Sequence, residues 1–154
     1  MKLEQQVEKI KNKILSSFEK QFNLLGIKAN RIENCSNIKL VLLLENLGSE
    51  SGSFEEARNK ALEEFTFTFF NRIAAIKVLE AKQIIPEAII KRAEHGERSF
   101  AHKLWLEQNP ELREEEFEGL EAFITYQFEQ LGKEINLFSS DYLYHLIPYI
   151  LDLK

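Results

Sequence analysis

The chain has 154 residues and a mass of 18.0 kDa, with 44% hydrophobic, 29% charged and 11% aromatic side chains, which excludes a disordered, fibrous or disulfide-stapled protein. Twelve Phe against six Gly and three Pro supply large apolar side chains and few turn formers, so long helices fit better than a β-sandwich. Lys and Arg number 20 against 25 Asp and Glu, a formal charge of −5, which argues against gripping a phosphate backbone with the whole surface.

The opening MKLEQQVEKIKNK mixes charged and apolar residues and contains no hydrophobic export signal, so a cytoplasmic chain is expected. At 100° per residue, Leu3, Val7, Ile10, Ile14, Phe18, Phe22 and Leu25 form one stripe of an amphipathic helix, with Gly26 as its left-handed stop. Lys2, Lys9, Lys13 and Lys20 fall on a second stripe well away from the first, a basic ridge that is either a solvated helix face or a docking and DNA-contacting surface. Cys35 is the one cysteine; it cannot form an internal bridge or a thiolate metal cage. The segment NIKLVLLLENL reads as a short buried helix capped by Ser36 or Asn37, because a lone strand would leave its backbone groups unpaired. Its apolar run, Leu40 to Leu44, is far shorter than the roughly 20 residues needed to span a bilayer, so no membrane association is expected.

GSESGS, residues 48–53, reads as a flexible loop between an N-terminal amphipathic segment (1–47) and a helical core (54–154) of one domain. Ser53 and Glu56 form a capping box that opens a long aromatic-rich helix over about 54–83, apolar nearly all round and therefore expected at the centre. Pro86 ends it and suits the first turn of a following helix, PEAIIKRAEHG. A short helix around ERSFAHKLWLEQ follows, broken at Asn109-Pro110. Beyond the break a helix over 111–135 opens on a run of Glu residues and carries Phe117, Leu120, Ile124, Phe128, Leu131 and Ile135 on one face. DYLYHLIPYILDL forms the last segment. The expected architecture is all-α, a single irregular bundle of about six helices around the 54–83 helix. Residues 1–60 carry 10 bases and 8 acids, net +2, whereas residues 61–154 carry 10 and 17, net −7.

No catalytic motif stands out. The chain contains no glycine-rich turn of the G-x-G-x-x-G type, no GxxxxGK[ST] and no G-x-S-x-G elbow, and His95, His102 and His145 are too few and too scattered to suggest a metal site. Two charges on the long helix are anomalous: Arg72 projects among Phe65, Ile76 and Leu79, and Glu80 beside Leu62, Phe69 and Ile73. Burying either one unpaired is strongly destabilising. Eight residues separate them by about 12 Å along the axis, so each needs a partner from elsewhere: another helix, another domain or a ligand. Asn71, Arg72 and Glu80 are therefore expected to form a buried polar network that fixes helix register.

The string FTFTFFNRIAAIKVLEAKQIIP, Phe65 to Pro86, resembles the helical N-terminal region of large adenine-specific DNA methyltransferases of phage-defence and restriction systems: the BREX methyltransferase PglX and its type IIG restriction–modification relatives. Phe70, Asn71, Arg72, Ile73, Ala75, Glu80 and Pro86 match the family's landmark. EINLFSSDYLYHLIPYI, with Phe138, Tyr142, Leu146 and Pro148, is similar to its run into the catalytic domain. The family's F-x-G-x-G-like cofactor turn and N-P-P-[YF] motif are absent, and Asn109-Pro110-Glu111 does not replace them. The resemblance thus implies a non-catalytic accessory domain, with S-adenosylmethionine and DNA belonging to a parent enzyme and no cofactor residue in this chain. Its expected partners are a methyltransferase catalytic domain or other subunit and DNA, with the lysine ridge as the contact. The alternative is a stand-alone interaction module that self-associates through an aromatic C-terminal face including Tyr142, Tyr144, Tyr149 and Ile150.

Overall fold

The computed structural model describes residues 2–35 and 37–138. Among them the protein is all-α, with five α-helices, four short 3-10 segments and no strand; two isolated antiparallel bridges pair Ile27 with Ile32 and Arg92 with Arg98. The described chain divides into two compact units, one ending at Phe69 and the other starting at Phe70, where the sequence suggests one bundle around a central helix. The segment from Asp141 onward, with Tyr142, Tyr144, His145, Tyr149 and Ile150, lies outside the described residues.

The first unit contains α1 (Leu3–Leu24), α2 (Ile38–Ser51) and the first part of α3 (Phe54–Ala81). Phe18 meets Phe65 and Phe69 at centroid distances of 5.8 and 6.1 Å, and Phe22 meets Phe65 edge-on at 5.9 Å. These ring pairs run in opposite senses along the two helices, so α1 lies antiparallel to α3. Only the second half of the expected α1 stripe is buried: Ile14, Phe18 and Phe22 are in the core, whereas Leu3 and Ile10 face solvent. Gly26 is left-handed as expected (φ 92°). The amides of Ile27 and Gly26 return to the carbonyls of Phe22 and Asn23, the paired bonds of a Schellman stop, and a Cβ at Gly26 would collide with the Glu33 carbonyl.

The side chain of Asn37 accepts from the Leu40 amide at 3.1 Å and starts α2 as one of the two expected caps. Residues 48–51 correct the expected loop. They continue α2, which stops only at left-handed Gly52, because the Gly52 amide can close on Gly48 O while Gly52 itself carries no Cβ penalty. Ser53 Oγ then accepts from Glu56 N and starts α3.

The second unit holds the rest of α3, α4 (Phe100–Gln108) and α5 (Leu120–Gly132), joined by 3-10 segments at Ala93–His95, Pro110–Glu114, Glu116–Gly119 and Asn136–Phe138. Gln83 (φ 61°) terminates α3 two residues short of the expected end, with Gln83 N on Glu80 O and Ile84 N on Leu79 O as a second Schellman stop. Ser99 caps α4 through the His102 amide. Two expected helices are corrected. PEAIIKRAEHG is not a helix: its chain turns, bridges Arg92 N to Arg98 O and forms only the 3-10 turn at 93–95. The 111–135 helix is shortened to Leu120–Gly132, since residues 117–119 adopt left-handed torsions. Phe117 and Ile135 are consequently exposed rather than on a buried face.

Candidate functional site

Glu80 is 8% exposed and lies in the last turn of α3. Its carboxylate accepts from three successive amides, Ala88 and Ile89 on Oε2 at 2.8 and 2.9 Å and Ile90 on Oε1 at 3.2 Å. A carboxylate held by three backbone amides is a fixed anchor. It also explains the missing helix at 86–96, because the amides that would open that helix are aimed at Glu80 instead. Beside the anchor lies an open cleft of about 720 Å³ whose wall includes Lys77, Gln83, Ile84, Pro86, Ile90 and Arg92. Arg92 is engaged there with Glu87 (Nη2 to Oε2, 2.7 Å; Nε to Oε1, 3.3 Å). That hydrogen-bonded guanidinium holds the Glu87 carboxyl below its ordinary value, and Glu87 raises Arg92 in turn.

Arg72 is 1% exposed. Nε donates to the Leu137 carbonyl at 2.7 Å, and Cζ stands 5.0 Å from the centroid of the Phe128 ring. It thereby ties α3 to the segment after α5. The carbonyl that Arg72 Nε holds and the amides that Glu80 holds are different groups of the second unit; Asn71, next to Arg72, is half-buried.

A third constellation was not anticipated from the sequence. Arg98 donates to Glu118 Oε2 from Nε at 3.0 Å and from Nη2 at 2.6 Å, and His102 Nε2 is 2.9 Å from the Glu118 carbonyl. A carbonyl only accepts, so the proton resides on Nε2. The His102 ring stacks on Phe123 at 4.8 Å, and Trp105 packs against the same ring at 5.6 Å. Burial lowers the His102 pKa, opposed by the Glu118 carbonyl bond; the Arg98 hydrogen bond lowers that of Glu118. The 20-residue separation between Arg98 and Glu118 leaves no periodic trace in the sequence. Ser99, at cap spacing from His102, is the one local signal. Arg58 was also missed: it is buried, with Cζ 5.9 Å from the Phe22 ring centroid.

Lys2, the N-cap residue of α1, and Lys9, Lys13 and Lys20 on the helix are all exposed. Among the described residues no group of three or more His, Cys, Asp or Glu is placed to hold a metal ion, and no helix is long and apolar enough to cross a membrane. No family model, curated protein or solved structure matches the chain.

Proposed function

We propose that the chain is a non-catalytic helical accessory domain of a DNA-modifying adenine methyltransferase of the phage-defence or restriction type, acting as a scaffold for the catalytic domain or in positioning DNA. The observation that supports this reading is the use made of the landmark charges. Arg72 and Glu80, two of the residues that resemble that family, are buried and directed at backbone groups. Charges that hold backbone are architectural, so a pattern containing them marks a scaffold rather than a reacting centre. S-adenosylmethionine belongs, on this reading, to the parent enzyme.

The DNA arm is tested by fluorescence anisotropy of the full chain with a labelled duplex, titrated in salt. Replacing Lys2, Lys9, Lys13 and Lys20 with Gln is expected to flatten the log–log salt slope by up to about 3 to 4, at roughly 0.9 for each phosphate no longer neutralised. Binding that is undetectable at the lowest salt removes DNA recognition by the ridge. Docking is then judged separately, by co-elution with a methyltransferase catalytic domain.

The stand-alone interaction module is favoured by a different observation: Phe67 and Val78 on α3 are 55% and 52% exposed. Light scattering across micromolar concentrations tests self-association, and a strictly monomeric species counts against the homo-oligomer.

A further inference from the structure

The cleft beside the Glu80 anchor, about 720 Å³ in volume, is lined by aliphatic side chains: Ala81, Ile84, Ile85, Pro86 and Ile90. Ile84 is 66% exposed and Ile90 36%, so apolar surface faces water inside a volume of the size that small molecules occupy. No aromatic ring is among the lining residues, which leaves a planar base nothing to stack on. The polar groups of the same wall divide by charge. Both carboxylates are bonded to the protein: Glu80 accepts from the amides of 88–90, and Glu87 is held by Nε and Nη2 of Arg92. Donors remain available. Lys77 is exposed and forms no hydrogen bond or ion pair among the described residues, the side-chain amide of Gln83 is uncommitted in the same sense, and Arg92 keeps Nη1.

We propose that this cleft binds a small aliphatic carboxylate, its hydrocarbon on Ile84, Pro86 and Ile90 and its carboxylate on the Lys77 ammonium and the Gln83 amide. Neither the scaffold nor the interaction-module reading gives the cleft a ligand. Charge selects the head group: an unpaired ammonium with amide donors beside it suits an anionic acceptor, and repels a cationic one. One ammonium balances the single charge of a carboxylate. The lining selects the body, since Ile and Pro side chains cover a flexible aliphatic chain without any ring to orient a planar one. The stop of α3 has the same bearing. Gly26 and Gly52 take the left-handed torsions that end α1 and α2, whereas Gln83 takes that torsion at the end of α3 (φ 61°) and so keeps an amide side chain on the cleft wall, where glycine would carry none. Because the ion pair is exposed, it contributes less than the aliphatic contact, and binding falls in the millimolar range.

The test is an NMR titration of the full labelled chain with hexanoate at constant ionic strength, read at the Ile84 and Ile90 methyls and the Gln83 side-chain amide, with acetate and hexylammonium as separate probes. Hexanoate should give saturable shifts confined to this cleft, acetate should bind at least about tenfold more weakly for want of four methylenes, and hexylammonium should not saturate. Lys77→Gln should weaken hexanoate about twofold to fivefold, as loss of one exposed ion pair does. Ile84→Ser should weaken hexanoate while leaving the melting temperature unchanged, because Ile84 is exposed. Gln83→Gly should weaken hexanoate while raising the melting temperature, since the left-handed torsion then carries no Cβ; a loss of binding in that variant is not a loss of fold. The site is overturned if the hexanoate shifts never saturate, if hexylammonium binds as well as hexanoate, or if any of the three variants binds hexanoate like the unaltered chain.

Discussion

The two units are held together by different physics. In the first, Phe18 and Phe22 interlock with Phe65 and Phe69 along two long helices, and the helices stop or start at residues whose local chemistry demands it: Gly26, Asn37, Gly52 and Ser53. In the second, the helices are shorter and the intervening chain is pinned by single polar groups acting over long sequence separations. Arg72 reaches Leu137 across 65 residues, Arg98 reaches Glu118 across 20, and Glu80 gathers the amides of 88–90. Apolar stripes distribute their stabilisation over many neighbours. Buried polar anchors concentrate it, and each exacts a penalty when its partner is removed.

Phe18→Ala should have the largest effect, since the side chain is fully buried among aromatic rings; a loss of about 3–5 kcal/mol is expected in urea unfolding. Hydrogen exchange sharpens the contrast: protection should fall first in α1 and in α3 before Phe69, and uniform loss over both units would show that they do not respond separately. Arg72→Met keeps the bulk but leaves the Leu137 carbonyl without this donor, so about 1–3 kcal/mol should be lost, with exchange rising around Phe128 and Phe138. An unchanged melting temperature would mean that Arg72 is no anchor.

The smallest effect is the pH dependence of the second unit. Because burial lowers the His102 pKa in the folded protein, the unfolded chain takes up that proton first as pH falls. The stability associated with neutral His102 is therefore complete above about 6.5, the unfolded value, and is lost progressively as pH drops through the lower folded value. Glu118 has the same sign at lower pH: its pKa is depressed, so its contribution is retained above 4.5 and lost below it. Thermal melts from pH 7.5 to 5 should show a slope that His102→Gln, which can still donate to the Glu118 carbonyl, removes. A persistent slope would locate the titration elsewhere.

How much was legible follows the same division. The α1 stop at Gly26, the Asn37 cap, the Ser53 start of α3 and the break at Asn109-Pro110 are written within four residues of where they act, and each is found in the structure. The burial of Arg72 and Glu80, and their need for partners other than each other, follow from helical spacing alone. The partners themselves do not, because an amide beyond the helix end or a carbonyl after another helix carries no signature in side-chain sequence. The expected helices at 86–96 and 111–119 fail for that reason. Both segments have helical patterns, and in both a charged or polar side chain from elsewhere takes hold of the backbone.

The sequence by itself determined the all-α class, the aromatic stripe of the first unit and the places where local capping chemistry starts or stops a helix, because those depend on side chains within one or two turns of each other. Tertiary structure alone decided that Glu80 gathers the 88–90 turn and that α5 begins at Leu120 behind a left-handed corner. In both, a buried or half-buried charge finds its hydrogen bonds beyond its own element, and satisfying it outweighs the local preference of the segment it captures.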